Sequence, residues 1–208
     1  MTKQAELLQW AKLLENDGFL NFLEGNVSII DREKGVQYIT PSGKRKNMLS
    51  EDDIAVMDLK TGEQVGGNLR RSSEYLLHEA ALRYRPDCNA SVHSHADFLT
   101  AYACIGKDAH FEGSIGLRED IPCIPVGMPG TMEITNGLEE ALKKSNVVLL
   151  GNHGVLVVDK DLESACANLT FQEHMVKIAT IVKMIGEPPM KLSDELKARI
   201  IEMIHSEG

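Results

Sequence analysis

Three histidines in two short motifs are the residues of this chain best suited to chemistry. His93 and His95 belong to the motif HSH, and His153 stands in the motif GNHG. An apolar stretch typical of a β-strand precedes each motif. Side chains two residues apart on a strand point the same way. We therefore expect His93 and His95 to share one face, with His153 joining them from the end of another strand.

Three neutral imidazoles with open coordination positions suit a catalytic divalent metal, zinc above all. The simpler alternative is that these are surface histidines, or core histidines held by hydrogen bonds. Three of the seven histidines stand at the ends of predicted strands. This shared placement favours the metal interpretation.

Composition limits the functional classes. The 208 residues carry a formal net charge of −9, which argues against a basic nucleic-acid-binding surface. An anionic substrate would need a locally prepared pocket. The first 20 residues alternate charged and apolar side chains, unlike a secretory signal, and no apolar stretch approaches a membrane span. The four cysteines form no CxxC pair, so we expect a cytoplasmic protein with buried, reduced thiols.

The sequence pattern predicts a single α/β domain over residues 1–208, with a mixed sheet and helices on both faces. We expect helices at 3–16, 74–84 (capped by Ser73), 96–105, 134–144 and 162–185. We expect extended segments at 27–30, 36–39, 54–59, around the HSH motif, and at 121–125, 147–150 and 155–158. A final helix in the tail (190–208), capped by Ser193, carries an apolar stripe that must pack against something.

Five motifs resemble the class II aldolase/adducin family in order and spacing: GNVS at 25–28, ITPSG at 39–43, SSE at 72–74, HSH at 93–95 and GNHG at 151–154. The resemblance extends to about Pro188. It implies a three-layer α/β/α fold with a central, mostly antiparallel sheet. It also implies a homotetramer with active sites between subunits, and a zinc ion held by His93, His95 and His153.

The serine pair before the second helix indicates an anion site. Ser72 and Ser73 offer two hydroxyls, unpaired backbone N–H groups and the positive end of a helix dipole, which together favour a phosphate. A helix cap alone would also explain them. The resemblance adds Asn26, Ser42 and Gly43 as further phosphate contacts. The implied partner is therefore a small sugar phosphate.

Glu74 is the candidate catalytic base, and by the same resemblance a metal ligand when substrate is absent. A metal among three neutral imidazoles keeps its full charge and can stabilise an enediolate. A carboxylate beside it can take the proton from the substrate hydroxyl that becomes an aldehyde. The family's aldolases have glutamate here, whereas its 4-epimerases have aspartate. We therefore expect cleavage of a ketose 1-phosphate, such as L-fuculose 1-phosphate, to dihydroxyacetone phosphate and an aldehyde.

The chain departs from the family pattern at two places. Leu23 replaces a threonine that contacts phosphate, although Arg70 and Arg71 could compensate as cations. The tyrosine that donates a proton from a neighbouring subunit is absent, since that region reads HFEGS at 110–114. His110 or Glu112 could replace it. These departures leave alternatives to aldol cleavage within the family: a dehydratase, a decarboxylase or a 4-epimerase. A non-catalytic adducin-like module and a phosphate-ester hydrolase are further alternatives.

Overall fold

An eight-stranded sheet forms the middle of this computed structural model, which describes residues 1–21, 23–112 and 118–206. In chain order the described residues form ten strands: β1 (Asn26–Asp31), β2 (Val36–Ile39), β3 (Ala55–Asp58), β4 (Gln64–Gly66), β5 (Ala90–Ser94), β6 (Ala109–Glu112), β7 (Arg118–Ile121), β8 (Cys123–Ile124), β9 (Val147–Leu150) and β10 (Gly154–Asp159). All of these strands but β6 and β7 belong to this sheet. The sheet order is β4-β3-β2-β1-β5-β10-β9-β8. Only the β8–β9 pair is parallel among the pairs described, so the sheet is mixed and mostly antiparallel.

Helices cover both faces of this sheet. They are α1 (Lys3–Asn16), α2 (Tyr75–Tyr84), α3 (Asp97–Ala103), α4 (Leu138–Leu142), α5 (Leu162–Ile185) and α6 (Asp194–Ser206). Side chains of β9 point alternately into two hydrophobic cores, because successive residues of a strand face opposite sides of the sheet. Val147 and Leu149 pack into the core beneath α1, α3 and α5. Val148 and Leu150 pack into the core beneath α2 and α4. The predicted three-layer arrangement is confirmed.

The elements with clear periodicity match their predicted bounds. The helices at 3–16 and 162–185 and the strands at 36–39 and 147–150 coincide with α1, α5, β2 and β9. Most other predicted bounds differ by one or two residues, and the extended segment at 121–125 is divided between β7 and β8. No described helix is long and apolar enough to cross a membrane.

The predicted helix at 134–144 is wrong as one element. A 3₁₀ helix over Met132–Thr135 and the short α4 replace it. Gly137 separates them with a φ of 83°, a left-handed conformation that glycine adopts without steric cost. An uninterrupted helix cannot pass through that residue.

Helix α2 begins one residue later than expected, and Ser73 is not its cap. Glu74 is the N-cap residue, with φ −92° and ψ 15°. The hydroxyl of Ser72 accepts a hydrogen bond from Glu74 N at 3.1 Å.

Strands β6 and β7 form a hairpin that the sequence pattern did not predict. Ala109 pairs with Ile121, and Phe111 lies in the core beneath α5. The hairpin contains the segment expected to carry the proton donor. Gly113 and Ser114 of that segment lie outside the described residues.

The tail helix α6 is capped as expected, because Ser193 Oγ accepts a hydrogen bond from Leu196 N at 3.2 Å. Its Lys197 lies 3.6 Å from Glu112 of the hairpin. Leu196 remains 41% exposed, so this chain does not bury the whole apolar stripe. The expectation of buried thiols is only partly right: all four cysteines are free, but Cys104 is exposed and Cys123 half-buried.

Candidate active site

His93 lies at the centre of the sheet. It sits on β5 between Asn26 of β1 and Leu156 of β10, and its side chain is fully buried. Its Nδ1 lies 3.0 Å from the backbone oxygen of Val155. Since that oxygen only accepts, Nδ1 carries the ring proton and Nε2 of the neutral ring keeps a lone pair. Burial lowers the pKa of His93 to about 4, so the ring is neutral near pH 7.

His95 and His153 complete a cluster around His93. His95 directly follows β5, and His153 lies in the turn between β9 and β10. The ring centroids of the three histidines are 4.8–5.0 Å apart. The Nε2 atoms of His93 and His95 approach to 3.1 Å. The prediction that HSH and GNHG meet is confirmed.

Gly154 permits this close packing. A Cβ atom at that position would lie 2.6 Å from the backbone oxygen of Ser94, 2.9 Å from the His95 ring and 3.1 Å from the His93 ring. Before it, Asn152 has a φ of 55°, which a non-glycine residue adopts only at some cost. The GNHG motif thus combines a tight turn with room for two imidazoles.

Glu74 faces the cluster from the start of α2. Its Oε2 lies 3.3 Å from His93 Nε2, and its Oε1 lies 3.2 Å from His153 Nε2. Burial by itself raises the pKa of the Glu74 carboxyl. The positive charge of His93 in its protonated form, the nearby His153 ring and a hydrogen bond from Asn26 lower it by more, so the net shift is downward. Glu74 is a carboxylate.

A buried network of hydrogen bonds holds Glu74. The network includes His78, for which the sequence predicted no role. Asn26 Nδ2 donates to Glu74 Oε2 at 2.7 Å. His78 Nε2 bonds to Asn26 Oδ1, and His78 Nδ1 lies 2.7 Å from Ser91 Oγ. The spacing of four residues between Glu74 and His78 places them on one side of α2, which was the available signal.

The expected phosphate residues come from three segments. An isolated bridge between Pro41 and Arg71 joins the turn containing Ser42 and Gly43 to the segment before Ser72, and Ser42 N donates to the backbone oxygen of Arg70. Gly43 has a φ of 63° and open space where a Cβ would lie. Ser72 is buried next to Glu74, and Ser73 is exposed. The Asn26 amide contacts Glu74 and His78 rather than this turn.

His110 and Glu112 are not brought to the histidine cluster by their own chain. His110 pairs with Asp120 at 2.6 Å, and Glu112 with Lys197. Neither contacts Glu74 or the three imidazoles in the described part of the chain. A role for them in proton transfer would require a second subunit.

Comparison with known proteins identifies the family. Residues 5–180 match the family described as "Class II Aldolase and Adducin N-terminal domain". The chain belongs to this family. The L-fuculose phosphate aldolase of Escherichia coli (strain K12) is 33% identical to it over 187 residues, covering 88% of this chain and 85% of that protein.

Two further relatives match nearly the whole chain at somewhat lower identity. The 5-deoxy-D-ribulose 1-phosphate aldolase of Bacillus thuringiensis is 28% identical over 199 residues, covering 94% of this chain and 92% of that protein. A solved structure of an L-fuculose 1-phosphate aldolase superimposes with a TM-score of 0.82 at 28% identity, covering 99% of this chain and 98% of that one. The names of these relatives include two different sugar phosphates.

The histidine cluster of this class II aldolase family member has the donor chemistry for a divalent cation. The three side chains each offer one nitrogen, and these atoms lie within 4.8 Å of one another. Burial lowers the pKa values of His93 and His95, which favours the neutral, metal-binding form. Among the described residues, Glu74 Oε1 and His153 Nδ1 are buried without a hydrogen-bond partner. A cation beside the carboxylate would stabilise an otherwise unsatisfied buried oxygen.

Proposed function

We propose that this protein is a metal-dependent aldolase that cleaves a ketose 1-phosphate into dihydroxyacetone phosphate and an aldehyde. The observation that carries the proposal is the Glu74 carboxylate, 3.2–3.3 Å from two of three clustered imidazoles. A non-catalytic module has no physical need for this arrangement. The aldolase names of the relatives support the reaction class.

His93, His95 and His153 would hold the divalent ion, with Glu74 as a further ligand when no substrate is bound. Zinc is the first candidate, because three imidazoles and one open position are typical of catalytic zinc. When bound, the ion supplies a positive charge that polarises the carbonyl and adjacent hydroxyl oxygens of the substrate.

Glu74 acts as the base. It takes the proton from the hydroxyl on C4, and the oxygen electrons form the carbonyl of the aldehyde product. The C3–C4 bond breaks, and its electron pair moves onto C3 and the conjugated carbonyl. A proton then returns to C3 to complete dihydroxyacetone phosphate. The lowered pKa of Glu74 keeps it ionised and ready to accept the first proton.

The phosphate would be anchored by the segments around Ser42, Gly43, Ser72 and Ser73. Asn26 would donate a further hydrogen bond to it through the second N–H of its side-chain amide, since the first is bonded to Glu74. The turn at 42–43 and the buried Ser72 adjoin the backbone of Arg70 and Arg71. These arginines provide local positive charge in a chain whose net charge is −9. An anchored phosphate is remote from the bond that breaks, which argues against a phosphate-ester hydrolase.

The substrate is proposed as a short ketose 1-phosphate, with L-fuculose 1-phosphate first and a 5-deoxypentulose 1-phosphate second. The two relatives carry these two sugar classes in their names. They share the phosphate-bearing half of the substrate and differ in the aldehyde that leaves. Screening both classes therefore tests the shared chemistry and the specificity together.

The decisive experiment is an NMR-monitored screen of ketose 1-phosphates with zinc- and cobalt-loaded protein. We expect dihydroxyacetone phosphate from at least one of them. The His95→Ala protein is the matched control, because it retains the phosphate residues but lacks one proposed ligand. A C4 epimer, a dehydrated ketone, carbon dioxide or inorganic phosphate as the product would contradict aldol cleavage and assign the chain to another reaction.

A further inference from the structure

Each metal-binding histidine needs a second contact that fixes its ring. Outer partners orient the ring, set which nitrogen carries the proton, and raise the basicity of the nitrogen that binds metal. For His93 that partner is the backbone oxygen of Val155, at 3.0 Å from Nδ1. His153 Nδ1 has no partner among the described residues. The remaining ring, His95, faces a side chain.

That side chain is Glu24, which lies in the loop leading into β1. Its Oε2 is 3.5 Å from His95 Nδ1, on the side of the ring opposite to the Nε2 that faces His93. The contact is within ion-pair range and half exposed, since the Glu24 side chain is 49% accessible. The loop thus brings a second carboxylate to the cluster, next to the one histidine that Glu74 does not pair with.

The loop is fixed internally by Asn21. Asn21 Oδ1 accepts hydrogen bonds from Leu23 N at 3.0 Å and Glu24 N at 2.9 Å. Its Nδ2 donates to the same Glu24 oxygen that faces His95. This turn orients the carboxylate, because one residue binds both the backbone and the side chain of Glu24.

A buried lysine anchors the loop to the body of the protein. Lys46 is 1% exposed, and its Nζ donates to the backbone oxygens of Asn21 at 3.2 Å and Glu24 at 3.1 Å. Burial lowers the pKa of Lys46, because it disfavours the charged ammonium group. Hydrogen bonds to these two carbonyl oxygens compensate the free-energy cost of burying that group. The backbone N–H of Lys46 is itself held by Glu15 of α1 at 3.2 Å.

We infer that Glu24 is a positioning residue for the metal site, orienting His95 and raising the affinity of its Nε2 for a divalent cation. The inference rests on the proposed function, because it requires that the three imidazoles bind a metal. Charge balance also favours it. Two carboxylates, Glu74 and Glu24, lie within 3.5 Å of the three imidazoles and match the double charge of one divalent ion.

The test is metal affinity measured without substrate. Zinc and cobalt(II) binding to wild-type, Glu24→Ala and Glu24→Gln proteins are compared by chelator competition, together with the visible absorption spectrum of the cobalt forms. We expect Glu24→Ala to weaken binding about 10- to 100-fold and to alter the cobalt spectrum. Glu24→Gln should lose less, since its amide oxygen still accepts a hydrogen bond but carries no charge.

Glu33→Ala is the matched control, because it removes the same charge from an exposed turn between β1 and β2. Thermal unfolding of the metal-free proteins checks that Glu24→Ala is folded as well as wild type. Affinity of Glu24→Ala within about twofold of wild type, with an unchanged cobalt spectrum, would overturn the inference while leaving the proposed function intact. A wild-type protein that binds neither metal would instead overturn the proposed function.

Discussion

At the scale of single residues, the site depends on one carboxylate and the space around three rings. Glu74 is ionised because the His153 ring, the Asn26 amide and the charge of His93 in its protonated form outweigh the effect of burial on the Glu74 pKa. The histidine rings approach one another closely because residue 154 has no Cβ atom. Chemistry and packing can therefore be tested separately, by changing Glu74 in one variant and Gly154 in another.

Replacing Glu74 by glutamine should lower turnover by about 10²-fold or more, because the amide keeps the size of the side chain but cannot accept a proton. Release of dihydroxyacetone phosphate and bound metal are measured on the same preparation. We expect metal to remain bound, since the three imidazoles are unchanged. Turnover close to the wild-type value would assign the base to another group.

Replacing Gly154 by alanine should displace the rings of His93 and His95. The new Cβ would lie 2.9 Å from the His95 ring, 3.1 Å from the His93 ring and 2.6 Å from the backbone oxygen of Ser94. We expect metal affinity to fall by about tenfold or more, and overpacking to cost about 1–3 kcal/mol in the free energy of unfolding. Chelator competition and urea denaturation measure the two effects.

Gly106→Ala is the control for that variant. A Cβ at Gly106 meets nothing within 4 Å, and its φ of 69° makes the substitution costly only through the backbone. It should lower stability without changing metal affinity. Equal metal affinity in the Gly154→Ala and wild-type proteins would show that the glycine does not set the ring positions.

At the scale of elements, α2 connects the candidate base to the sheet. Glu74 caps this helix and His78 lies on it, while Asn26 and Ser91 lie on the neighbouring strands β1 and β5. Hydrogen bonds join all four side chains. The network fixes the start of α2 against two central strands, so Glu74 is held by packing as well as by its own contacts.

Replacing His78 by glutamine should change how stability depends on pH. Burial lowers the pKa of His78 to about 3, from a usual value of 6.5. Between these values the unfolded chain binds more protons than the folded one, so this residue's contribution to stability is lost as pH falls from 6.5 towards 3. Glutamine does not titrate, and the urea midpoint of the variant should fall less steeply over that range.

The measurement compares urea midpoints of the metal-free wild-type and variant proteins at several pH values from 7 to 4. His174→Gln is the control, because it replaces a histidine on the exposed side of α5. It should leave the wild-type pH dependence unchanged. Parallel curves for the His78→Gln and wild-type proteins would contradict a neutral, buried His78.

At the scale of the whole molecule, apolar surface remains uncovered at the carboxyl-terminal end. Met184 and Ile185 at the end of α5 are 81% and 66% exposed, and Leu196 of α6 is 41% exposed. Monomers seldom leave such groups together in solvent. We propose that another subunit covers this surface in a homotetramer, with active sites between subunits, and that the hairpin bearing His110 and Glu112 reaches a neighbouring site.

Light scattering at micromolar concentration should give the mass of four chains. His110→Ala and Glu112→Ala should then lower turnover without changing metal content if either side chain serves the neighbouring site. Lys183→Ala, on the adjoining surface of α5, is the control for loss of a nearby charge. A monomer in solution would contradict both the assembly and the contribution of the hairpin across an interface.

The sequence by itself determined which histidines cluster and most of the layers. HSH after an apolar strand and GNHG between two strands fixed which histidines could meet, because side-chain direction on a strand follows a period of two. Helices α1 and α5 were predictable to the residue, since their apolar periodicity, caps and following glycines all agree. The five ordered motifs were sufficient to predict the family.

Only the tertiary structure decided what surrounds those histidines. The network from Glu74 through Asn26 to His78 joins residues up to 52 positions apart, and no local pattern encodes which strand an amide side chain will face. The hairpin β6–β7 and the break at Gly137 also escaped prediction, because pairing and packing there override weak local preferences. Glu24 is part of an unremarkable sequence stretch, and it reaches His95 only because buried Lys46 holds its loop in place.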